Sequence, residues 1–129
     1  MGLVTGLTWT IAALAGVRLL SHWLSGGDRA KITRFPAAVV FSHPTLAVSA
    51  LACWVAALIT GNRALAWLAF GGLAAAALLG FVMFTRWLGA GRHGRGGAGL
   101  PVLAVTLHGL AGVATFALVL LAASAARVF

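Results

Sequence analysis

The sequence predicts an all-α integral membrane four-helix bundle, on three observations: its hydropathy, the length of its apolar runs, and the turn chemistry between them. The chain has 129 residues, 62% hydrophobic and only 8% charged, and its mean hydropathy is +1.07. A water-soluble domain of this length could not hide so much apolar surface, whereas lipid tails solvate it.

Apolar runs at 3–24, 35–60, 64–88 and 101–126 each cross a hydrocarbon core of about 30 Å at about 1.5 Å per residue. The breaks carry glycine and polar residues: Ser25 to Asp28, Gly61-Asn62-Arg63, and Gly89 to Gly99. Strands are excluded, because an open sheet edge cannot sit in lipid and four segments cannot close a barrel. Residues 1–129 therefore read as a single four-helix domain. The first run lacks a basic start and is too long for a signal peptide, so it reads as a permanent helix.

The net charge of +8 sets nine Lys and Arg against one acid, Asp28. The basic residues lie in the gaps between apolar runs, where they act as interfacial anchors, so no nucleic-acid partner is expected. The first loop holds Arg29, Lys31 and Arg34 and the third holds Arg92 and Arg95, with Arg18 and Arg86 just inside the adjoining helix ends. The other side offers only Arg63 and Arg127. The positive-inside rule then predicts a multi-pass protein of the cell membrane, basic loops cytoplasmic and both termini outside. Trp9, Trp23, Trp54, Trp67 and Trp87 fall mostly near run ends, as an aromatic belt would place them.

The second and fourth runs resemble each other. Pro36 is followed seven residues later by His43, and Pro101 seven residues later by His108. The first and third runs end alike, in His22-Trp23-Leu24 and Arg86-Trp87-Leu88. The histidines are 65 residues apart and the Trp-Leu pairs 64, which predicts two tandem helical hairpins related by a pseudo-two-fold axis along the membrane normal. Pro suits a helix start because its missing N–H is one the first turn leaves unpaired.

Seven residues at about 1.5 Å put each repeat histidine about 10 Å below its helix start, at matching depth in the cytoplasmic half. An ionisable group inside a membrane faces the bundle interior with a partner. The runs contain no Asp, Glu or Lys, so the natural partner of each histidine is the other, or something held between them. Small residues flank both: Ala47 and Ala50 beside His43; Ala104, Ala111, Gly112 and Thr115 beside His108. Gly71, Gly72 and Gly80 in the third run would allow close helix packing. His22 and His93 fall at the interface and in the third loop and read as solvent-facing.

Two functional readings follow. In the first, His43 and His108 are the axial metal ligands of one b-type haem, with Arg18, Arg34 and Arg86 facing its propionates, and the chain exchanges electrons with a quinone or a redox partner. This helical logic is similar to that of membrane cytochromes b, where histidines on separate helices clamp a haem. In the second, the chain is a non-catalytic membrane subunit or scaffold, and its histidines bond backbone carbonyls or a neighbouring helix. Either reading expects another membrane subunit or a second copy as partner. Paired carboxylates, a Cys-His pair with plausible geometry and a nucleophile elbow are all missing from the sequence.

Overall fold

A computed structural model of the protein describes residues 2–25, 36–91 and 101–125. They form four helices: α1 (Gly2–Ser25), α2 (Ala37–Thr60), α3 (Arg63–Gly91) and α4 (Val102–Ser124). Each is long and apolar enough to cross a membrane. Pro36 and Pro101 stand just ahead of α2 and α4, and their carbonyls accept the first helical bonds, from Val40 and Val105. Between α2 and α3, Gly61 takes the left-handed conformation at φ 66° and its N–H closes on Ala57 O. The Asn62 Oδ1 then accepts the Ala64 N–H, which opens α3.

Around the bundle the order is α1, α2, α3, α4. The α2–α3 and α1–α4 pairs share long interfaces, α3 and α4 a shorter one, and α1 and α2 meet only slightly. The diagonals α1–α3 and α2–α4 do not pack on each other. Two helix pairs therefore face each other across a seam that is most open between α1 and α2.

The interior is built from small side chains and the exterior from large ones. Ala57, Ala66, Ala69 and Ala123 are fully buried, while Leu3, Leu14, Ile59 and Leu78 project outward. The buried cluster of Trp9, Ala50, Trp54, Ala57, Ala66, Ala69, Leu73, Val119, Ala122 and Ala123 lies entirely toward the 61–62 turn. On the basic-loop side of His43 and His108, Val40 alone is buried among the described residues.

This corrects the reading of two tryptophans. Trp9 and Trp54 are 5% and 2% exposed and belong to the core, not to an interfacial belt. Trp67, 43% exposed, has the belt's exposure.

Glycine placement is equally specific. A Cβ at Gly72 would come within 3.2 Å of Ala50 Cβ, so Gly72 lets α2 and α3 approach closely. Gly71 faces open space and has no such task. Gly72→Ala should therefore destabilise the bundle by about 1–3 kcal/mol in detergent unfolding, while Gly71→Ala stays near neutral. The α1–α4 pair is more polar at the equivalent level. The Thr115 hydroxyl donates to Thr8 Oγ1 (2.9 Å), and Thr8 donates to Thr5 O (3.0 Å).

Arg63 also has a local use. Its Nε and Nη2 donate to the carbonyls of Ala123 and Ser124, closing the C-terminal end of α4.

Candidate functional site

One level of the bundle gathers all four helices. His43 from α2 and His108 from α4 reach across the diagonal until their Nε2 atoms are 3.4 Å apart. Both rings are half-buried. The other ring nitrogen of each is held by the adjacent helix. His43 Nδ1–H donates to Ala76 O of α3 at 2.8 Å, and His108 Nδ1–H donates to Ala12 O of α1 at 2.8 Å. Neither helix packs on its diagonal partner, so the imidazoles alone bridge the centre.

These bonds decide the tautomers. A carbonyl can only accept, so each Nδ1 carries the proton and each neutral ring presents Nε2 as a bare lone pair. The two lone pairs face each other, which is not a hydrogen bond between neutral rings. The ring centres are 5.7 Å apart. That is the 3.4 Å between nitrogens plus one ring radius at each end, so both rings point along a single line. Their planes are turned 70° from one another.

Glycines shape the seats. A Cβ at Gly80 would stand 3.0 Å from His43 Cε1, and one at Gly16 would stand 3.1 Å from His108 Cε1. Gly80 lies one turn beyond Ala76 on α3, and Gly16 one turn beyond Ala12 on α1, so each ring sits in a notch made by a carbonyl and a missing side chain. Ala12 and Ala76 are 64 residues apart, as are Gly16 and Gly80. Both His seats thus use residues 64 apart, the spacing of the two Trp-Leu pairs. Sequence reasoning singles out Gly80 but misses Gly16, Ala12 and Ala76. The repeated Ala-x-x-x-Gly at that spacing is the signal that would have found them.

The remaining candidates are more scattered. Arg18 is exposed on α1, two residues past Gly16 and so about 200° around the helix from it. Arg86 is exposed on α3, about 100° from Trp87, which shares the Gly80 stripe. Arg34 and His93 lie outside the described residues, with the other loop cations. His22 is exposed at the end of α1, 64 residues before Arg86.

Chemically, the site offers two converging imidazole donors and no further protein ligand. Among the described residues no group of three or more His, Cys, Asp or Glu could hold a metal ion. A tetrahedral zinc site wants four ligands at tetrahedral angles, and two lone pairs on one line do not suit it. Two opposed imidazole donors would suit a metal whose remaining positions are filled from outside the protein. Two bonds of about 2 Å each need the nitrogens about 0.6 Å farther apart than their present 3.4 Å. Comparison with protein families, curated proteins and solved structures finds no match, so the functional reading rests on this geometry.

Proposed function

We propose that this chain is a multi-pass membrane electron-transfer protein that holds one b-type haem between His43 and His108. The observation that carries the reading is the pair of Nε2 lone pairs aimed at each other along one line. A purely structural histidine pair accounts for the Nδ1–carbonyl bonds, but it leaves those lone pairs in mutual repulsion. A shared proton would relieve them only by placing a net charge within the bundle, which is costly in a membrane. A metal between them relieves both at once.

The chain's own groups then have defined tasks. The carbonyls of Ala12 and Ala76 fix the imidazole tautomers and orientations, as the outer partners of metal-bound histidines commonly do. The apolar surroundings set a low dielectric around the site, which tunes its potential. A haem with two imidazole ligands supplies one-electron transfer and no open position for substrate. Of the three arginines Arg18, Arg34 and Arg86, Arg86 on α3 and Arg18 on α1 are described and lie toward the end where propionates would emerge, Arg18 on a different face from Gly16. The electron partner is a quinone or another membrane subunit.

The large exposed side chains of all four helices support immersion in lipid. The positive-inside bias supports cytoplasmic basic loops and outer termini. It is sharpened by Arg63, whose charge already serves a helix end. The two alike histidine seats, 64–65 residues apart, support a duplicated hairpin with a pseudo-two-fold axis along the membrane normal.

The test is an absorption spectrum of the purified full chain before and after dithionite, following haem-supplemented expression. The expected result is a red protein with one haem per chain and a sharp reduced α-band of the b type. A colourless protein overturns the reading and leaves a membrane subunit with structural histidines.

A further inference from the structure

We infer that the indole N–H of Trp23 donates a hydrogen bond to a propionate carboxylate of the bound haem, an inference that rests on the haem reading above. Trp23 Nε1 and Trp54 Nε1 are both buried with no hydrogen-bond partner, which a buried donor rarely tolerates, and of the two only Trp23 lies on the basic-loop side of the histidines. Trp23 lies on the stripe of α1 that includes Ala12 and Gly16, so it shares the face that seats His108. Seven residues separate it from Gly16, about 10 Å along the helix toward the basic-loop end. That is about the reach of a propionate arm from the iron.

The lateral position agrees with the height. The Trp23 ring meets Phe41 of α2 edge-on, with centroids 6.1 Å apart and planes at 86°. The indole therefore bridges α1 and α2, where the seam between the helix pairs is most open. A macrocycle held between His43 and His108 would present an edge to α1, beside that seam. The described residues include no Asp or Glu. An ionised propionate accepts only, and a hydrogen bond to it is charge-assisted. Among the described residues, the face of the Phe41 ring that meets the indole is a weak alternative acceptor.

The experiment compares haem with its dimethyl ester, which has the same macrocycle and iron but no carboxylate. Full-length chain, Trp23→Phe and Phe41→Leu are reconstituted with each, and affinity is read from Soret titrations. The indole resonance of Trp23 is followed by NMR with 15N-labelled tryptophan and a diamagnetic zinc protoporphyrin or its dimethyl ester. Trp23→Phe should weaken haem about 10-fold and leave the ester's affinity unchanged, which also shows that the variant is folded. The indole proton should shift downfield with the free-acid porphyrin and not with its ester, in the parent chain and in Phe41→Leu alike. Equal losses for both ligands, no loss for either, or an indole shift that disappears in Phe41→Leu would overturn the inference while haem binding stands. Absence of a Soret band with either ligand in the parent chain would overturn the haem reading itself, and this inference with it.

Discussion

Replacing either His43 or His108 with alanine should abolish the six-coordinate haem spectrum completely, and the two variants should behave alike. The equality follows from the geometry. Each imidazole has the same 2.8 Å carbonyl bond behind it, the same glycine notch beside it and the same lone pair in front. One ligand alone leaves a five-coordinate high-spin haem or none, and added imidazole should restore the low-spin spectrum by entering the space the ring left. With ligand planes turned 70°, the ferric protein should give the strongly anisotropic type of low-spin EPR signal, not the rhombic signal of parallel planes. If the pair were structural only, each substitution would remove one interhelical hydrogen bond, and the loss would be about 1 kcal/mol of stability with no colour to lose. Spectra, haem stoichiometry and detergent unfolding of the same preparations separate these outcomes.

How far such a site can be read from sequence depends on which coordinate of the helix is asked for. Depth is legible. Pro36 and Pro101 mark two helix starts and His43 and His108 follow each by seven residues, so a rise of about 1.5 Å per residue puts them at one level. The four spans are legible too, because an apolar run cannot be mistaken once it exceeds the bilayer; α1 to α4 differ from the apolar runs by at most three residues at either end. Direction around the helix is not legible, since one residue of error turns a side chain by about 100°. That is why Arg18, Arg34 and Arg86 can be named only by depth, and why Arg18 proves to stand on a different face from Gly16. The carbonyls of Ala12 and Ala76 carry no side-chain signal at all, although they determine which histidine nitrogen is free. Tryptophan is ambiguous for a related reason: a run end can be a membrane interface or the packed end of a bundle, and Trp9 and Trp54 occupy the second.

The glycine notches yield the second large effect. In Gly80→Ala the new methyl would lie 3.0 Å from His43 Cε1, and in Gly16→Ala it would lie 3.1 Å from His108 Cε1. Both contacts are tighter than Cβ atoms usually make, so the ring must give by a few tenths of an ångström. A free side chain would swing away at little cost, but each imidazole is held at Nδ1 by a carbonyl and, with haem bound, at Nε2 by iron. The ring can yield only by stretching its carbonyl bond or tilting off the line to the metal. Overpacking of this kind costs about 1–3 kcal/mol. Charged to the haem-bound state, that is a loss of about 5- to 150-fold in haem affinity. The two variants should show it to a similar degree, with a faster haem off-rate and a low-spin spectrum that broadens or turns partly high-spin. Gly71→Ala and Gly109→Ala add the same methyl where nothing lies within 4 Å, and should bind haem as the parent does. Soret titrations and haem-transfer kinetics across the four variants are the measurement. Unchanged affinity in Gly16→Ala and Gly80→Ala would mean that the imidazoles do not sit in these notches when haem is bound, and the collinear pair would lose its claim to be the ligating arrangement.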